Sequence, residues 1–126
     1  MHELALCEGV LAVAQEAAGG RDIARVKVRI GQLQRVLPES WDICWQMAAM
    51  DTTAQQAVVE LAEIPARIRC NSCGAEGSPA PPLDCRACGG HSIEVLAGNE
   101  ILVQEVELVS GEVLANPGLA AVAEED

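Results

Sequence analysis

Two short turns limit what this chain can fold into more than any other feature. Cys70-Asn71-Ser72-Cys73-Gly74 is followed, after an 11-residue gap, by Cys85-Arg86-Ala87-Cys88-Gly89. Two residues between paired cysteines let both thiolates reach one metal from a single tight turn, and glycine just after the second Cys permits the positive φ that closes it. Two such turns supply four sulfurs, a closed tetrahedral site that matches structural zinc and leaves no open position for catalysis. Iron also suits four thiolates, and a colourless protein would exclude it. A thioredoxin-like pair needs one Cys-x-x-Cys on a βα turn, and here there are two in a loop. Four thiolates on Zn²⁺ leave a net charge of about −2. Arg67, Arg69 and Arg86 lie close in sequence and are expected to offset it. His91, after Gly89-Gly90, reads as a loop histidine, since a fifth ligand is not needed.

A metal staple also answers a weakness in composition. Among 126 residues Trp41 and Trp45 are the only aromatics. A core of Ala, Val, Leu and Ile buries little area per residue, so a small domain gains from bound metal. Eight Lys plus Arg against 19 Asp plus Glu give a net charge of −11. Nucleic acid is therefore not an expected partner, because phosphate contacts need clustered cations. No apolar run reaches the roughly 18 residues of a membrane span, and Glu3 and Glu8 in the first stretch argue against a signal peptide. A cytoplasmic chain is expected. In that reducing compartment the cysteines serve metal and core packing rather than disulfides.

Along the chain, residues 4–18 predict a helix on the spacing of Leu4, Cys7, Leu11, Ala14 and Ala18, ended by Gly19-Gly20. Residues 23–30 predict a strand in which Val26, Val28 and Ile30 alternate with Arg25, Lys27 and Arg29. Pro38 opens a helix to about Met50, with Trp41, Cys44, Trp45 and Ala48 on its apolar stripe. Residues 57–64 and 100–109 predict two further strands. Two short strands cannot make a stable sheet, so the last is expected to return to the first two. The fold expected is α+β: a three-stranded sheet with two helices, plus an inserted zinc-ribbon-like four-cysteine lobe. Residues 1–65 and 99–110 form the α+β domain, 66–98 the zinc lobe, and 111–126 a flexible acidic tail.

The chain begins Met1-His2-Glu3. A free α-amine, the following peptide nitrogen and the His2 imidazole can chelate one metal through adjoining rings, and Glu3 can add an oxygen. Square-planar nitrogen and oxygen ligation suits Ni²⁺ or Cu²⁺. A large residue at position two hinders removal of Met1 and keeps the amine in place. The bland alternative is a frayed terminus.

Met1-His2-Glu3-Leu4, the strand ending Ile30-Gly31, and the Cys-x-x-Cys pairs followed by Gly98-Asn99-Glu100 together resemble the HypA/HybF family of hydrogenase nickel-incorporation proteins over about residues 1–109. The resemblance implies a two-lobed fold, nickel held at Met1, His2 and Glu3 with His2 essential, and a structural zinc on Cys70, Cys73, Cys85 and Cys88. It also implies docking with a GTPase accessory protein, HypB, and with the large subunit of NiFe-hydrogenase. Some relatives carry an acid just before the second helix that assists nickel. Here that segment reads Val36-Leu37-Pro38, and Glu39 is the nearest acid. Gln46 stands where many relatives have an acid.

Cys7 and Cys44 fall on apolar helix stripes and are expected in the core. Arg25, Lys27 and Arg29 predict a solvated sheet face, with a docking edge for an acidic partner as the minor reading. Met47 and Met50 read as core or interface filler. A nickel metallochaperone is the leading function. The alternative is a zinc-ribbon interaction module without nickel. An enzyme is the least expected class: there are two histidines, no phosphate-binding Gly loop and no open zinc position.

Overall fold

The structure, a computed structural model, describes residues 2–81 and 83–119. They form two compact units. One holds the residues up to Arg29, Val36–Ala62 and those from Ile101 onward; the other holds Ile30–Arg35 and Glu63–Glu100.

In the first unit the helices are α1 (His2–Ala18) and α2 (Pro38–Ala49). The α1 stripe is buried as its spacing predicts, with Cys7, Val10, Ala14 and Ala18 at 0% exposure and Leu6 at 1%. At its end Arg21 Nε donates to the Ala18 carbonyl over 2.6 Å, placing a cation on the negative pole of the helix. On α2, Trp41, Cys44, Trp45 and Ala49 are buried, so the inward stripe takes Ala49 fully where Ala48 was expected. Pro38 sits in the first turn and Leu37 is the N-cap, with no capping bond from its own side chain. Cys7 Sγ lies 3.8 Å from the Trp41 carbonyl, at the α1–α2 contact. Trp45 Nε1 donates to Ala57 O over 3.3 Å. These two indoles supply the bulk that an Ala- and Val-rich interface lacks.

The sheet contains the expected strands β1 (Ile23–Gly31), β2 (Val58–Ile64) and, after the cysteine-bearing segment, a strand at Ile101–Leu108. Within that segment lie β3 (Arg67–Cys70), β4 (Glu76–Gly77) and β5 (Ile93–Ala97), so Ile101–Leu108 is β6. A further strand follows, β7 (Val113–Leu119). The order is β2-β1-β6-β7 in the larger sheet and β4-β3-β5 in the smaller. The α+β architecture is as expected, with a fourth strand in the larger sheet. That strand, Val113–Leu119, falls within the segment expected to be a flexible tail. A tight turn makes it: Leu108 N–H donates to Glu112 O and Gly111 N–H to Leu108 O, each over 2.8 Å. β7 then pairs antiparallel with β6 from Glu107↔Val113 to Leu102↔Leu119, and α1 packs on both strands.

The outer face of this sheet is laced by ion pairs. Arg25 on β1 bonds Glu60 on β2 and lies 3.4 Å from Glu107 on β6, and Lys27 lies 3.4 Å from Glu105. Arg25 and Lys27 are therefore answered by neighbouring strands, and the docking-edge reading of the basic strip loses two of its three cations. Being exposed, these pairs fix register more than they add stability.

In the second unit residues 30–35 are gripped by backbone and side-chain bonds. Gly31 N–H donates to Glu100 O over 2.7 Å and Leu33 N–H to Gly98 O over 2.8 Å. The Ala66 N–H donates to Gln32 Oε1 over 2.8 Å. Gln34 Nε2 donates to Asn99 O over 2.8 Å.

Candidate metal centre

The four cysteines of the paired turns come together. Their sulfurs all lie within 4.8 Å of one another. Cys70 and Cys88 Sγ are 3.6 Å apart, as are Cys73 and Cys85 Sγ. Zn–S bonds of about 2.3 Å in a regular tetrahedron set sulfurs about 3.8 Å apart. The donor set and its spacing thus fit a structural zinc, and four thiolates around one ion fill its coordination.

The two turns are built alike, which explains why each sequence ends in glycine. In the first, Gly74 N–H donates to Cys70 O and Cys70 N–H to Ala75 O, both over 2.9 Å. In the second, Gly89 N–H donates to Cys85 O over 2.8 Å and Cys85 N–H to Gly90 O over 3.0 Å. Gly74 and Gly89 sit at φ +78° and +75°, in the left-handed region where a side chain is strained. The first cysteine of each turn, Cys70 or Cys85, is buried, while Cys73 and Cys88 are exposed.

The electrostatics follow this geometry. The Cys73 N–H points at Cys70 Sγ over 3.4 Å, and bonds of this kind, Cys73 first and Ser72 next, hold the Cys70 thiol down at about 6. The Cys88 N–H likewise lowers Cys85. Gly90 N–H works to lower Cys88, but the sulfurs of Cys70, Cys73 and Cys85 outweigh it and push that thiol to about 12. Without metal, the first cysteine of each turn is shifted toward the thiolate and the second, Cys73 or Cys88, toward the thiol. Metal removes the conflict, since each sulfur then faces a cation rather than another sulfur.

Arg69 does not serve the role expected of it. Its guanidinium bonds Glu76 over 3.0 Å and Glu94 over 2.9 Å, bridging β4 and β5 across β3. Its charge is spent on the lobe's own strand pairing. His91 stands outside the cluster. Its Nδ1 lies 2.6 Å from Asp84 Oδ1, and that bond raises the imidazole pKa.

At the other candidate site, Met1 and the His2 side chain lie outside the described residues. Glu3 lies in the first turn of α1, and its Oε2 accepts the Leu37 N–H over 3.4 Å. The start of α2 is thus capped by a residue of α1, a contact that sequence periodicity does not reveal. Glu39 is exposed in the first turn of α2.

Comparison with known proteins agrees with these features. A family model described as hydrogenase/urease nickel incorporation, metallochaperone, HypA matches residues 1–108. A hydrogenase maturation factor HypA from Nostoc sp. is 32% identical over 108 residues, covering 86% of this chain and 96% of that one. One from Geobacter metallireducens is 33% identical over 109 residues, covering 86% and 99%. The solution structure of the Ni metallochaperone HypA from Helicobacter pylori shares the fold, with a TM-score of 0.64 at 19% identity over 86% of this chain and 97% of that one. With four thiols gathered in one cluster and a family match running from the first residue through both cysteine turns, the chain belongs to the HypA family of nickel-incorporation metallochaperones.

Proposed function

We propose that this protein binds Ni²⁺ at its N-terminus through the Met1 amine, the His2 imidazole and Glu3, and gives it up to the large subunit of a NiFe-hydrogenase during maturation. The observation that carries this reading is the family match over residues 1–108, which takes in Met1-His2-Glu3. The closed cysteine cluster supports it by elimination. Four sulfurs within 4.8 Å of one another are satisfied by one zinc, so a second metal needs other donors. The terminal triad offers nitrogen and oxygen ligands of the kind Ni²⁺ prefers.

A terminal site suits cargo, because a partner can approach from an open side and replace ligands one at a time. The protein acts here as a carrier rather than a catalyst, in the cytoplasm, with the GTPase accessory protein HypB as a second partner. No helix among the described residues is long and apolar enough to cross a membrane. Nickel titration of wild type, His2→Ala and an N-terminally extended form tests the reading. Loss of specific binding in both altered forms is the expected result. Retention in both would remove the nickel from the terminus, and absence of specific binding in wild type would leave the zinc-ribbon module as the better account.

A further inference from the structure

The buried stripe of α2 accounts for one side of that helix. The opposite side is apolar too. Ile43 is 62% exposed, Met47 56% and Met50, just past the helix end, 58%. These positions recur at i, i+4 and i+7, so they form one continuous strip along the helix. Scattered exposed hydrophobics need no explanation, but an aligned strip on a helix whose other side is already packed does. Methionine, flexible and polarisable, is well suited to an adaptable contact surface.

The charges around the strip say what can cover it. All eight Lys and Arg residues of the chain lie outside α1 and α2. The helices carry only acids: Glu3, Glu8 and Glu16 on α1, and Glu39 and Asp42 on α2, with Asp51 following. Glu39 shares the face of Ile43, one turn earlier, Asp42 is its neighbour on the helix, and Asp51 follows Met50 in sequence. On the sheet, by contrast, Arg25 and Lys27 pair with acids of adjoining strands.

We infer that the outer face of α2, through Ile43, Met47 and Met50, is a docking surface for a partner's amphipathic segment whose apolar face is edged by Lys or Arg. A second copy of this chain does not fit. An antiparallel two-fold contact along the strip would bring Glu39 and Asp42 of one copy toward Asp51 of the other, acid against acid, on chains that each carry −11, a repulsion that opposes the apolar contact. A basic-edged partner gains both the apolar burial and the acidic rim, and the rim steers it to the strip.

The test uses the full chain with its methionine methyl groups isotopically labelled. It is titrated with two synthetic helical peptides of equal length. One has a Leu face edged by Lys; the other has the same Leu face edged by Glu. The Lys peptide is expected to shift the Met47 and Met50 methyl signals, and the Glu peptide to leave them unmoved. Ile43→Ser with Met47→Ser should weaken Lys-peptide binding at least about tenfold, with metal content and circular dichroism unchanged. Met50→Ser should weaken it in the same direction. Equal affinity in the variants, equal response to both peptides, shifts confined to other sites, or self-association of the free chain that buries these methyls would each overturn the inference.

Discussion

Gly31 and Gly98 run against each other so closely that a Cβ on Gly31 would overlap the Gly98 carbonyl. The reverse side of Gly98 is equally tight. A Cβ there would meet Ala66 Cα at 2.5 Å, and its φ of +103° is one that L side chains rarely adopt. Three strands of chain cross at this point, held by the Leu33 N–H to Gly98 O bond and the Ala66 N–H to Gln32 Oε1 bond.

Gly31→Ala and Gly98→Ala should therefore each destabilise the protein by about 2 kcal/mol or more, the cost of forcing backbone apart in a packed site. Gly20→Ala is a control of mixed character: its Cβ meets nothing within 4 Å but its φ is +88°, so it isolates backbone strain from overlap. Thermal unfolding of the metal-loaded forms measures this. Midpoints for the Gly31 and Gly98 variants equal to wild type would show that the crossing can relax freely.

What the sequence disclosed, and what it hid, follows from the kinds of signal involved. The helices and β1 were legible because one face is buried, and burial writes a period into the residues. The cysteine site was legible because metal geometry fixes spacing within each turn. β7 was hidden by the acids that close the tail, and Asn116-Pro117-Gly118 within it are residue types depleted in strands. Pro117 is tolerated because β7 is an edge strand, where a missing donor can face outward. β3 carries a short alternation, with Ile68 and Cys70 buried between exposed Arg67 and Arg69, and four residues were too few to stand out. Ile43 and Met47 were no easier, since an exposed apolar strip and a buried one have the same period.

The six cysteines should divide into two chemical classes. Cys7 is at 0% exposure and Cys44 at 1%, and burial, with Cys44 the next cause, pushes the Cys7 thiol to about 12. Neither should react with iodoacetamide until the protein unfolds. Removing zinc with a chelator should open Cys70, Cys73, Cys85 and Cys88 to alkylation and leave the other two untouched. Mass spectrometry of the stripped, native protein reads the answer directly. Cys70→Ala or Cys85→Ala should lose tight zinc, and zinc held at full occupancy in both would defeat the site. Zinc binding should also release protons, because Cys73 and Cys88 are raised and enter the site protonated at neutral pH. Affinity therefore falls as pH falls. Calorimetry in buffers of differing ionisation enthalpy should count about two to three protons rather than four, since Cys70 at about 6 is already largely ionised.

His91 should titrate above its ordinary value because of Asp84. A raised pKa in the folded state means that protonation favours folding. The contribution is complete below the unfolded-state value, about 6.5, and is lost as pH rises through the folded one. Asp84→Asn should bring the imidazole back to its ordinary value, as read by NMR titration of the ring protons. His91→Ala should leave zinc content unchanged, because the ring bonds Asp84 and is no part of the sulfur cluster. A His91 that titrates identically in wild type and Asp84→Asn would discard the pairing.

The terminal site makes the sharpest claim about function. His2→Ala should abolish specific nickel binding and hydrogenase maturation while sparing zinc, because the imidazole closes a chelate ring with the α-amine and its loss breaks the ring rather than one contact. Extending the chain ahead of Met1 turns the amine into an amide and should weaken binding in the same way. Glu3→Gln is a subtler case. The Glu3 carboxylate accepts the Leu37 N–H over 3.4 Å, and a Gln amide oxygen can keep that bond while losing the charge. Nickel affinity in Glu3→Gln should therefore fall less than in Glu3→Ala, which gives up both. Protons compete for the two nitrogen donors, with reference pKa values of about 6.5 for imidazole and about 7.7–8.0 for the amine. Affinity should decline steadily from about pH 8 to pH 6, and the zinc should stay bound while nickel is added. Nickel titrations at about pH 7.5, between those two reference values, on wild type, His2→Ala and the extended form decide the matter. Quantitative release of zinc by one equivalent of nickel would move the cargo to the cysteine cluster, and equal affinity across the three forms would remove it from the terminus.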